Sequence, residues 1–167
     1  MAYGPRYHVP FRRRREGKTD YRARLALIKS GKHRAVVRRS LSGTIVQLVE
    51  FHEDGDIVIA QSSFVDLKRL GWEHSLKDTT ASYLVGLLAA VKAQKAGISE
   101  AVLDIGLHEP TVGSRVFATL NGLIDGGMNI PHGEGMFPDE GRITGKTRNK
   151  KGLPEDFENM KKKILEM

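Results

Sequence analysis

What most constrains the fold of this chain is a change of apolar period partway along it. Between Arg34 and Gln61 lie three runs rich in Val and Ile, Arg34 to Ser40, Thr44 to Phe51 and Ile57 to Gln61, separated by Ser42-Gly43 and Asp54-Gly55. β-Branched side chains favour extended backbone, and Gly tolerates the positive φ of a tight turn, so the simplest reading is an antiparallel meander. From Thr79 to about Ala96 the spacing becomes helical, with Leu84, Leu87, Leu88 and Val91 on one face, Asp78 or Thr79 as N-cap and Gly97 past the end. Ala101 to Leu107 is a short, mostly apolar run that predicts a buried strand rejoining the sheet. Ser114 then stands at the head of a second helix, whose Val116, Phe117, Leu120, Leu123 and Ile124 form a stripe ended by Gly126-Gly127. Three strands, a helix, a strand and a helix predict a single compact α/β domain with a mixed sheet, over about residues 32–130.

The flanks have a different composition. Residues 1–39 hold 13 Lys and Arg against Glu16 and Asp20, a net of +11, whereas the remaining residues carry 14 basic and 18 acidic side chains, a net of −4. All of the basic excess therefore lies at the front, as expected of an arm that meets a nucleic acid or another anionic surface. Residues 1–19 combine Gly4, Pro5, Pro10 and Gly17 with the run Arg12 to Arg15 and have little to bury, so they need a partner to become ordered. A short basic helix should start near Asp20, with Tyr21, Leu25 and Ile28 on one face and Gly31 as its stop, closing a unit of residues 1–31. Residues 131–167 form a second basic extension. It is irregular through about residue 153 and then helical from Pro154, with Glu155 and Asp156 in the first turn and Lys161 to Lys163 later.

Sites for chemistry are sparse. The chain has no cysteine, which removes disulfides and thiolate chemistry and fits a reducing, cytosolic compartment. Its longest apolar stretches, Leu84 to Val91 and Ala101 to Leu103, are too short to span a bilayer. Gly145-Lys146-Thr147 resembles the end of a phosphate-binding loop, but that motif needs Gly where Glu140 stands. The six histidines, His8, His33, His52, His74, His108 and His132, include no helical i, i+4 pair that could share a metal. His108-Glu109 fits a turn better than an acid/base pair, since adjacent residues on extended chain point apart. Ser114 fits an N-cap better than a nucleophile, and Trp72 a packing residue better than a ligand platform. No cofactor, metal or catalytic residue is expected.

The arm itself carries the strongest signal. Its cations are interleaved with Tyr3, Tyr7, Phe11 and Tyr21, and RNA rewards that mixture, because guanidinium groups pair with phosphates while rings and Arg planes stack on bases. Alternation puts Arg34 and Arg38 on one face of the first strand and Arg39 on the other, which would carry the positive patch onto the sheet unless these residues are spent in ion pairs. A general basic nucleic-acid-binding protein, including a DNA-compacting one, and an RNA-processing enzyme are the alternatives. A nuclease should show clustered carboxylates or histidines, and no such cluster is evident.

Three long runs are also familiar: YRARLALIKSGKHRAVVRRS, SYLVGLLAAVKAQKAGISEAVLDIGL and GSRVFATLNGLIDGGMNIPHGEGMFP, at residues 21–40, 82–107 and 113–138. Together they resemble the archaeal form of the large-subunit ribosomal protein L-eighteen family over roughly residues 10–143. The chain is longer than bacterial members after about Asn129 and shorter than eukaryotic ones, and residues 144–167 match nothing in that resemblance. It implies a structural role in the large ribosomal subunit, binding 5S rRNA, docking it on 23S rRNA in the central protuberance and meeting ribosomal protein L-five. By position the family's RNA-contacting arm falls on Arg12, Arg13, Arg14, Arg15, Lys18, Arg22 and Arg24, its basic strand on Arg34, Arg38 and Arg39, and a further motif on Gly113-Ser114-Arg115. Arg6, Tyr7, Phe11, Tyr21 and Lys32, with Arg148, Lys150 and Lys151 in the second basic segment, complete the expected RNA-binding set.

Overall fold

The computed structural model describes residues 4–148 and 152–167. Its elements are α1 (Arg12–Arg15), α2 (Tyr21–Lys29), β1 (His33–Arg39), β2 (Thr44–Glu50), β3 (Ile57–Ser63), α3 (Phe64–Arg69), α4 (Thr79–Lys95), β4 (Ala101–Asp104), α5 (Arg115–Asp125), α6 (Glu140–Ile143) and α7 (Leu153–Leu165), with a 3-10 turn at Lys146–Arg148. The strands form one sheet in the order β3-β2-β1-β4. The first three make the expected antiparallel meander, and β4 returns parallel to β1 after the α4 crossover, so the sheet is mixed and the fold α/β as its apolar pattern predicts. β4 is shorter than expected. Its chain turns away because Gly106 takes a φ of 63° and donates its N–H to the Asp104 carboxylate at 2.8 Å.

One helix was legible as a motif and still missed. Ser63 and Asp66 form a reciprocal capping box, the Ser63 hydroxyl accepting from Asp66 N–H at 3.4 Å and the Asp66 carboxylate from Ser63 N–H at 3.1 Å, and α3 starts there. The other departures come from packing. α4 was expected to bury one stripe, yet every residue from Thr80 to Ala90 is buried, because the sheet, α5 and α7 surround it. Its polar members are satisfied inside: the Ser82 and Thr44 hydroxyls lie 2.9 Å apart, and the Tyr83 hydroxyl donates to Asp125 at 2.7 Å.

The core does not stop at residue 130 as the sequence suggested. Ile143, Leu153, Phe157, Met160 and Ile164 belong to the same buried cluster as the sheet and α4, and the Phe157 ring lies 5.5 Å from that of Tyr83. α7 is thus part of the globular unit; its apolar side chains fall at helical spacing and close over α4. Residues 131–148 are likewise less irregular than expected, holding α6 and the 3-10 turn. Among the described residues no helix is long and apolar enough to cross a membrane.

Leu87 sits at the centre of this packing with no exposed surface. Replacing it with Ala should lower unfolding free energy by about 2 to 5 kcal/mol, because the fixed helices cannot collapse into the space left. Chemical denaturation of the purified variant measures this, and a loss under about 1 kcal/mol would contradict the packing described.

Candidate nucleic-acid interface

The arm enters the structure as an exposed, cationic segment. α1 buries none of its four arginines, and crowding Arg12, Arg13, Arg14 and Arg15 into a single turn spreads their guanidinium groups around its axis. Internal partners are few. Arg13 donates to the Thr19 hydroxyl at 2.8 Å, while Glu16 is 2.9 Å from Lys18 and 3.8 Å from Arg12. Arg6, Arg14, Arg15 and Arg22 are exposed and engage no carboxylate among the described residues. The same segment carries aromatic rings: Tyr7 is exposed, Phe11 is 71% exposed, and the Phe11 ring stands 5.0 Å from that of half-buried Tyr21.

α2 follows, with Asp20 capping it by accepting from Arg22 N–H at 2.9 Å and Ala23 N–H at 3.3 Å. Its inward face differs from the expected one. Tyr21, Arg24, Leu27 and Ile28 are half-buried and Leu25 is 54% exposed. Arg24 turns inward because a carboxylate waits beneath it, and α2 and the outer face of the sheet enclose a cleft of about 820 Å³. A chain of alternating charges runs along that cleft. Arg24 meets Asp56 at 2.9 Å, Asp56 meets Arg34 at 2.5 Å, Arg34 meets Asp104 at 3.0 Å, and Asp104 meets Arg38 at 3.1 Å. Partial burial would push the Asp56 carboxyl up, but its hydrogen bonds to Arg24 and Arg34 and their charges hold it below its ordinary value.

This chain corrects part of the expected site. Arg34 is buried at 3% exposure between two carboxylates, so it is not available to a phosphate and instead ties β1 to Asp56 and to β4. Arg24 is largely committed to Asp56, and Lys32 is paired with Glu100 at 2.7 Å. Arg38 shares Asp104 but keeps 44% of its side chain exposed. The three cations and two anions of this chain of charges leave it with one net positive charge, far less than the basic strand suggested.

At the C-terminal end of β1 the balance differs. Arg39 is exposed on the face opposite Arg38 and donates to His108 Nδ1 at 3.4 Å, and Arg115 donates to the Lys77 carbonyl at 3.0 Å. His108 has its pKa held below the ordinary 6.5, first by burial and then by the charges of Arg39, Arg38 and Arg115. Ser114 occupies the N-cap position but makes no side-chain capping bond, and its enclosed hydroxyl has no partner among the described residues. Ser114 therefore stands at the helix start as expected, without the side-chain capping bond. Sequence reasoning missed His108 and Arg142 as members of this basic region. A Cβ on Gly113 would lie 3.2 Å from the Arg142 guanidinium, a proximity that only the fold creates. The Arg148 side chain, Lys150 and Lys151 lie outside the described residues. Trp72 is 4% exposed and donates to the Ser75 carbonyl, as a packing residue should.

Comparison with known proteins places this arrangement in a family. The model of the family described as "Ribosomal large subunit proteins 60S L5, and 50S L18" matches residues 5–99 and 91–133. The chain is 49% identical over 145 residues to "Large ribosomal subunit protein uL18" of Methanothermobacter thermautotrophicus, a match covering 87% of this chain and 76% of that one. It is 52% identical over 145 residues to the protein of the same name from Korarchaeum cryptofilum, covering 87% of this chain and 74% of that one. The matched region takes in the arm, the sheet, α4 and α5, and the chain belongs to the uL18 family of large ribosomal subunit proteins.

Proposed function

We propose that this chain binds 5S rRNA and helps to attach it to 23S rRNA in the central protuberance of the large subunit, beside ribosomal protein L-five, as a scaffold that catalyses no reaction. The observation that carries this reading is the exposed arm, where Arg6, Arg14, Arg15 and Arg22 lack carboxylate partners among the described residues and the exposed Phe11 ring stands 5.0 Å from that of Tyr21. Uncompensated guanidinium groups suit phosphates, and an exposed ring suits a splayed base. In this reading Arg12, Arg13, Lys18 and Tyr7 widen the arm's surface, Arg38, Arg39 and Arg115 extend it over the end of the sheet, and the α/β unit fixes where the arm is presented. Residues 1–31 act as the RNA-binding unit, and Arg34 and Arg24 act by positioning.

Gel-shift titration of 5S rRNA against transfer RNA and duplex DNA of similar length tests it. The expected result is a clear preference for 5S rRNA, since structured RNA is recognised through shape and single-stranded bases. With about six phosphates neutralised, affinity should fall roughly a thousandfold between about 50 and 200 mM salt. Equal affinity for the three nucleic acids would favour a general DNA-compacting or basic binding protein, and a flat salt response would remove the arm from the interface.

A further inference from the structure

The two basic regions differ in how their charge is compensated. Along the cleft, Asp56 and Asp104 are shared among Arg24, Arg34 and Arg38. At the C-terminal end of β1, Arg39 and Arg115 contact no carboxylate among the described residues, and their hydrogen bonds go to an imidazole and a backbone carbonyl. Cations brought together without an anion repel one another, and the arrangement improves when an anion enters.

His108 is the member whose state can change. Guanidinium nitrogen only donates, so the Arg39 contact requires a lone pair on His108 Nδ1 and thereby sets the neutral ring with its proton on Nε2. Arg39 contacts the ring directly, and the positive charges that act on it come from two elements: Arg39 and Arg38 from β1, and Arg115 from α5. On its own side of the fold, Asp104 of β4 is already held by Arg34 and Arg38, and the adjacent Glu109 is exposed. No carboxylate hydrogen-bonds to the ring among the described residues. Its neutral form is favoured first by burial and then by the charges of the arginines around it, which add to the Arg39 contact on Nδ1.

We propose that Arg39, His108 and Arg115 form a phosphate-binding site for an RNA backbone, in which His108 takes up one proton from solvent as the RNA docks. This rests on the reading of the chain as an RNA-binding protein and adds to it His108 as a phosphate ligand and a coupling between RNA docking and proton uptake. A phosphodiester oxygen draws Arg39 away from Nδ1, which leaves that nitrogen free to accept the proton. Its charge offsets the arginines that opposed protonation, and the imidazolium donates to the phosphate in turn. Binding and protonation then favour each other. The sign follows: because the complex holds the proton more tightly than the free protein does, affinity rises as pH falls through the interval between the two pKa values.

The test is calorimetric titration of the full chain with 5S rRNA in two buffers of different ionisation enthalpy, which counts protons taken up, together with affinity measured between about pH 5.5 and 8. Wild type should take up close to one proton within that interval and gain up to about tenfold in affinity for each unit the pH falls. His108→Gln should bind with neither the proton uptake nor the pH slope. His8→Gln, which removes the histidine of the arm, should keep both. A slope that survives in His108→Gln, or a wild type with no proton uptake, overturns the proposal while leaving RNA binding in place. Failure of the wild type to bind 5S rRNA at any pH would remove the underlying reading, and the site with it.

Discussion

Removal of residues 1–19 is expected to cost at least about a hundredfold in 5S rRNA affinity while leaving the fold intact. The segment carries six basic side chains, Arg6, Arg12, Arg13, Arg14, Arg15 and Lys18, and its described members contribute nothing to the buried core. Each phosphate left unneutralised should also reduce the slope of log affinity against log salt by about 0.9, so the truncated protein should respond to salt far more weakly. Stability should change by no more than about 0.5 kcal/mol, as for surface changes that open no core and break no cap. Asp20 remains to cap α2, and Arg24 remains to hold it on Asp56. Thermal unfolding and gel-shift titration of the same preparation separate the two quantities. A truncated protein that unfolds, or one that binds as tightly as the full chain, would show that the arm is not the site.

Gly86→Ala and Gly122→Ala are each expected to lower stability by more than about 3 kcal/mol, enough to compromise folding of a marginally stable domain. Helix propensity predicts the opposite sign, because Ala inside a helix is favoured over Gly by roughly 1 kcal/mol. The difference lies in how α4 and α5 cross. A Cβ on Gly86 would sit 2.1 Å from the Thr119 carbonyl oxygen, and one on Gly122 would sit 2.1 Å from that of Tyr83. Backbone cannot turn aside as a flexible side chain can, so the two helices would have to separate and give up the close packing between them. A Cβ on Gly126, one turn beyond Gly122, would likewise lie 2.4 Å from the Ala90 methyl. Denaturant unfolding measures the effect. Either substitution raising stability would mean that propensity governs and that the close crossing is wrong.

These two expectations draw on different kinds of information. The arm's exposure could be read from the chain alone, because Arg12 to Arg15 set among Gly and Pro leave nothing to bury, and no fold changes that balance. The meander, α4, α5 and β4 were legible for a related reason: period, turn residues and caps are local, and local geometry registers them directly. The capping box of Ser63 and Asp66 was equally local and could have revealed α3. Family membership was legible too, carried by three runs of residues in order.

What the tertiary structure alone decided concerns groups far apart in the chain. Arg34 had the same sequence character as Arg39, yet the fold brings it Asp56 from 22 residues away and Asp104 from 70, and buries it between them. Arg39 receives His108 in place of a carboxylate and stays exposed. The inward turn of Arg24, the inclusion of α7 in the core and the need for Gly at positions 86 and 122 have the same origin. A side chain's type states what it can do, but whether a cation is spent internally or left for a ligand depends on which charge the fold places within a few ångströms of it. That distance is set by packing between elements and has no signature in the residues on either side.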